Sequence, residues 1–153
     1  MTNVPLASLI TAVRADPAFE GPLDCVPYAE FLNLWVRRSG DELLAWLRYD
    51  GMLIGSPAPP RLHGGVVAAT LEFAGLLQLL WEGCNAEAPV LQLAKPVDLT
   101  VEYLRGGRPQ DVFAHANVVR QGRRIANVRA IAWQSDQSAP IAAASLHFLV
   151  APS

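Results

Sequence analysis

The chain has 153 residues, 52% of them apolar and only 17% charged, which suits one domain with a substantial core and some extra buried surface. A formal charge of −2 gives no reason to expect a nucleic-acid or other polyanionic partner. Cys25 and Cys84 make neither a disulfide framework nor a metal-binding spacing.

In chain order, Pro5 to Arg14 reads as an amphipathic helix with Leu6, Leu9, Ile10 and Val13 on one face. Asp16 to Pro27 holds three prolines and a glycine and reads as a loop, followed by a short helical turn at Tyr28–Glu30. Leu32–Arg37 reads as a strand that turns at Ser39–Asp41 into a partner spanning Leu43–Tyr49. Ile54–Pro60 is too rich in proline for helix or central strand and is expected to be a stiff loop. An apolar helix then runs from Gly64 to about Trp81 and ends near Gly83. It is too short to span a bilayer and carries Glu72 near its middle.

Beyond Pro89 the periodicity changes to two. Val97, Leu99, Val101 and Tyr103 share one face; so do Val112, Ala114, Ala116 and Val118, and then Ala126, Val128, Ala130 and Ala132. A last strand covers Ile141–Val150. Tight turns are expected at Gly106-Gly107 and Gln121-Gly122, with a polar loop at Ser135–Ser138. Long antiparallel strands after one apolar helix imply an α+β fold, the helix lying on a curved sheet whose alanines permit close approach. A single domain over residues 1–153 is expected, with an N-terminal helical extension over about residues 1–30. No basic segment followed by an apolar run suggests a signal peptide, so a cytoplasmic protein with no membrane partner is expected.

Glu72 is the informative residue. It interrupts a helix that is apolar almost all round, and no Lys or Arg lies between Arg61 and Lys95 to neutralise it. A carboxylate so placed is costly unless hydrogen-bonded or protonated, which makes it a candidate for chemistry rather than packing. The bland alternative is a core carboxylate satisfied by a hydrogen bond. His115 and His147 lie on predicted strands without ligand partners, and the four tryptophans read as packing residues.

His63-Gly64-Gly65 followed by Glu72, with the strand Val97–Arg105 and the hairpin Val118–Arg124, resembles the hotdog-fold acyl-CoA thioesterases of the phenylacetate-degradation (PaaI-like) branch. The resemblance covers about residue 30 to the C-terminus. It implies a hotdog fold, with a long central helix wrapped by a curved antiparallel sheet, and hydrolysis of an acyl-CoA to a carboxylic acid and free CoA. Glu72 would act as general base or nucleophile, and the Gly64 backbone N–H would polarise the thioester carbonyl. Many members place Asn or Gln six residues before the histidine. Pro57 stands there in this chain, and Ser56 is the nearest polar side chain to take that role.

This chemistry needs a water-activating group and donors aimed at a developing oxyanion, which a helix N-terminus supplies. Gly64 and Gly65 let a substrate approach that backbone, and His63 is expected to shape the turn by hydrogen bonding. Glu72 lies eight residues beyond Gly64, about 12 Å along a helix. One subunit therefore does not easily bring its own acid to its own helix start. Two antiparallel helices across a twofold axis do so, and the resemblance likewise implies a homodimer, or a dimer-of-dimers tetramer, with shared sites.

For the CoA phosphates the candidates are Arg120, Arg123 and Arg124 at a hairpin turn, then Arg105. CoA belongs to the substrate, and no metal or other cofactor is implied. The alternatives are a non-catalytic acyl-CoA-binding or regulatory domain and, less favoured, an acyl-thioester dehydratase or hydratase, whose His-Phe-Pro-Gly loop is absent. The acyl group, aromatic or aliphatic, is left open by the sequence.

Overall fold

A computed structural model describes residues 6–83 and 94–150; Cys84 lies outside them. The chain forms α1 (Leu6–Ala15), β1 (Glu20–Pro22), α2 (Pro27–Phe31), β2 (Leu34–Ser39), β3 (Glu42–Leu47), β4 (Ile54–Pro57), β5 (Pro60–Leu62), α3 (Gly64–Gly83), β6 (Lys95–Tyr103), β7 (Val112–Gln121), β8 (Ile125–Trp133) and β9 (Ala142–Leu149). Seven strands make one antiparallel sheet in the order β1-β2-β3-β7-β8-β9-β6, and β4 pairs with β5 apart from it. The fold is α+β and hotdog, the long helix α3 lying against β3, β7, β8, β9 and β6.

Period-two patterning explains the helix-facing side of the sheet. Ala114, Ala132 and Ala142 stand in register across β7, β8 and β9, and Ala116, Ala130 and Ala144 form the next row. All six are buried. Larger residues take over farther along: Val128 pairs with Leu146, and Ala126 with Phe148. α3 reciprocates with Val67, Leu71, Ala74 and Leu77, and with Gly75 where it crosses Phe148.

The far end of α3 is held by polar contacts. Arg14, in the last turn of α1, donates a hydrogen bond to the Trp81 carbonyl and stacks 4.4 Å from its ring. A cation at a helix C-terminus also meets the negative end of the dipole. Trp81 Nε1 donates to the Asp41 carbonyl at 2.9 Å, tying α3 to the β2–β3 turn. That two-residue turn begins with Gly40 at φ 63°, a left-handed conformation that suits glycine.

On the sheet's other side an aromatic row crosses four strands, with Trp35 opposite Trp46, Trp46 opposite Phe113, and Phe113 opposite Trp133. Arg37 and Arg48 lie over it, 4.4 Å and 5.4 Å from the Trp46 ring.

Three expectations change. The Asp16–Pro27 loop contains β1, which extends the sheet beyond β2. The Ile54–Pro60 segment is largely strand, in a hairpin outside the main ladder where proline's missing donor costs little. Gly106-Gly107 is not a tight turn between neighbours. β6 pairs with β9, so the connection from β6 to β7 crosses the ends of β9 and β8. It touches β5 on the way, where Leu62 N–H donates to the Gly107 carbonyl at 3.0 Å.

Gly75 fixes how closely helix and sheet approach. A β-carbon there would lie 3.1 Å from Phe148 Cε2, and Phe148 is fully buried. Gly75→Val is expected to cost about 1–3 kcal/mol by overpacking, read as a lower urea midpoint at unchanged slope.

Candidate active site

The start of α3 is assembled by its neighbours in sequence. His63 N–H donates to the Leu53 carbonyl at 2.9 Å, and the His63 carbonyl accepts from Val66 N–H at 3.0 Å. Its ring turns back so that Nδ1 accepts from Gly65 N–H at 2.8 Å. His63 therefore caps the helix and consumes the second of its free donors. Among the described residues the Gly64 N–H finds no acceptor. The Gly64 carbonyl, by contrast, accepts from Tyr103 Oη at 2.8 Å.

Two glycines make this corner possible. A β-carbon on Gly64 would sit 3.2 Å from the Tyr103 hydroxyl, and one on Gly55 would sit 2.7 Å from His63 Cα. β4 thus passes directly behind the histidine. Ser56 follows on it, exposed and opposite Arg61 on β5, and Pro57 lies opposite Pro60. A cavity of about 340 Å³ opens beside Gly64, walled by Arg61, Tyr103, Leu104, Arg105 and Gly106.

Glu72 is half-buried in the middle of α3, and burial alone holds its carboxyl above the ordinary glutamate value. Among the described residues no Lys or Arg forms an ion pair with it. It shares a stripe of α3 with Gly65, Ala68, Ala69 and Leu76, none of which is fully buried although the rest of the helix largely is. An apolar stripe of small residues left partly open is a surface on which another helix can lie closely.

Of the arginines singled out by sequence, the structure brings only Arg105 to the Gly64 cavity. Arg120, Arg123 and Arg124 occupy the exposed β7–β8 hairpin. The inner end of that hairpin, where Gln121 pairs with Ala126, is already six residues along β8 from the Ala132–Ala142 pair, about 20 Å of strand from the end of the sheet where Gly64 sits. Tyr103 and Arg61 went unassigned in the sequence. Tyr103 shows there only as the last apolar residue of a strand, and Arg61 only as the last cation before a long gap.

Residues 55–149, more than half of the chain, match the family model described as the acyl-CoA thioesterase N-terminal domain. The chain belongs to that family. A relative from Salmonella typhimurium, the medium/long-chain acyl-CoA thioesterase YigI, is 28% identical over 122 residues, 73% of this chain and 78% of that protein. A Shewanella oneidensis structure related to the thioesterase superfamily superposes with a TM-score of 0.75 at 25% identity, covering 94% of this chain and 96% of that one. A variant of the phenylacetic acid degradation protein PaaI from Thermus thermophilus shares the fold, with a TM-score of 0.64 at 20% identity over 82% of this chain and 100% of that one. The resemblance to hotdog-fold acyl-CoA thioesterases is thereby borne out, and the enzyme is a thioesterase.

Within this thioesterase the raised Glu72 has a stability signature. A carboxyl whose folded pKa is raised penalises folding once pH climbs through that value, and the penalty is absent below the unfolded pKa of about 4.3. Glu72→Gln is therefore expected to melt above wild type at pH 7. The gap should close as pH falls towards about 4, which thermal melts across a pH series will read.

Proposed function

We propose that the protein hydrolyses acyl-CoA with Glu72 as the base that activates water, or as the nucleophile itself, and the Gly64 N–H as donor to the thioester oxygen. The observation carrying this reading is a desolvated carboxylate that, among the described residues, has no ion-pair partner, on the same helix whose first N–H finds no acceptor among them. As general base, Glu72 takes a proton while the water oxygen adds to the carbonyl carbon. The oxyanion forms at Gly64 N–H, the C–S bond breaks, and the proton returns to the departing CoA sulfur. His63 positions that helix start, Gly65 completes its cap, and Ser56 on the adjoining strand takes the place of the family's upstream amide. CoA enters as part of the substrate, and the reaction draws on no other cofactor.

Glu72 and Gly64 are eight residues apart on one helix, about 12 Å, so each site takes its acid from one chain and its donor from another. The half-open stripe around Glu72 supports an antiparallel α3–α3 contact across a twofold axis. The working unit is thus a homodimer or a tetramer of two dimers, acting on a soluble substrate in the cytoplasm. A medium or long aliphatic acyl chain suits the half-open apolar side chains of Ala69 and Leu76, about one turn either side of Glu72 on α3. It is also the class for which the Salmonella relative is named.

Free-thiol release from a panel of aliphatic and aromatic acyl-CoAs tests this. Glu72→Ala, folded, is expected to lose at least about 100-fold in kcat/KM, roughly 2.7 kcal/mol of transition-state stabilisation. Wild-type activity should rise with pH as Glu72 loses its proton, with a midpoint above the ordinary glutamate value of about 4.3. Acyl-CoA bound tightly but never cleaved would instead leave a binding domain, the reading that Pro57 at the amide position favours. A monomer fully active at assay concentration would remove the shared site.

A further inference from the structure

Beside the Gly64 cavity a second one opens, about 380 Å³, sharing Arg61, Arg105, Gly106 and Ile141 with the first and adding Arg108. Three guanidinium groups on one cavity wall repel each other, and among the described residues none forms an ion pair with a carboxylate. Arg61 spends one N–H on the Pro60 carbonyl at 2.9 Å, and Arg105 one on the Pro140 carbonyl at 2.8 Å. Each guanidinium carries five donors, so most remain available. The Arg108 side chain makes no hydrogen bond to the described residues, yet its backbone is clamped. Gln134 accepts from Arg108 N–H at 2.9 Å and donates to the Arg108 carbonyl at 2.9 Å.

The wall is also shaped for this. A β-carbon on Gly106 would lie 2.8 Å from Arg61 Nε and 2.9 Å from its Cδ, so the missing side chain is what lets Arg61 lie across the turn. One carboxylate, Asp136, stands on the lining, where its oxygen accepts from Ser138 N–H at 2.9 Å and from the Ser138 hydroxyl at 2.7 Å. Three positive groups and one negative leave the cavity a net positive site.

We propose that Arg61, Arg105 and Arg108 bind the phosphates at the adenosine end of CoA, in the same subunit whose Gly64 receives the thioester; this rests on the acyl-CoA reading above. The two cavities adjoin, so the pantetheine arm passes from one to the other along the Tyr103–Arg105 segment. Bidentate guanidinium–phosphate pairing is the strongest contact such a wall offers. The hairpin arginines, at the opposite end of the same sheet, are not needed within that subunit.

Two measurements on the full-length protein decide it. Calorimetry with adenosine 3′,5′-bisphosphate should show binding to wild type that weakens about tenfold or more in Arg61→Gln/Arg108→Gln. In the same variant, the ratio of kcat/KM for an acyl-CoA to that for the matching acyl-N-acetylcysteamine thioester should fall by a similar factor. The ratio cancels any general loss of activity. Nucleotide binding needs no turnover, so it reports on the anion site even if Glu72 proves inert. Equal affinity and an unchanged ratio in the variant would overturn the assignment. So would the same losses appearing in Arg123→Gln/Arg124→Gln with the Arg61/Arg108 variant at wild-type values, which would move the phosphates to the hairpin.

Discussion

The close contact between α3 and the alanine rows of β7, β8 and β9 is the constraint on which the other features depend. A helix this apolar is driven out of water, and a sheet surface of small side chains lets its backbone come near. Close approach then sets where the helix can begin and end. Its C-terminus meets Arg14 and Asp41. Its N-terminus is delivered to the end of the sheet where Tyr103, the β5 strand and the β6–β7 connection converge.

That convergence turns a packing solution into a site. A helix start has donors without partners, and the His63 ring takes up the Gly65 N–H while the Gly64 N–H finds no acceptor among the described residues. Glycines at 55, 64 and 106 keep this corner thin: a β-carbon would collide with the His63 backbone at the first, crowd Tyr103 at the second and displace the Arg61 side chain at the third. Glu72, farther along the same rigid helix, is desolvated by the packing that holds the helix down. In the proposed mechanism stability and function share this one element, and the cost of a half-buried carboxylate is borne where a wholly apolar residue would have packed without penalty.

The outer side of the sheet obeys a different logic. Trp35, Trp46, Phe113 and Trp133 line up across four strands, and Arg37 and Arg48 cover the middle of the row. Cross-strand aromatic pairs and cations over their rings add to the ladder on this side. The tryptophans were legible as packing residues, but their alignment into one row was not, because register across strands is not written in local periodicity.

What the sequence determined by itself was local and periodic. Period two marked β6 to β9, a helix apolar almost all round marked α3, and a lone acid after His-Gly-Gly marked the residue on which the functional reading turns. The tertiary structure alone decided which strands became neighbours. β6 pairs with β9 at the sheet's edge, so Gly106-Gly107 became part of a crossing connection instead of a hairpin turn. That crossing carries Arg105 and Arg108 to Arg61 and leaves Arg120, Arg123 and Arg124 at the far end. Residues that share a cavity while lying more than forty positions apart are joined by long-range strand pairing. Such pairing depends on how whole faces pack, a property no short window of sequence contains.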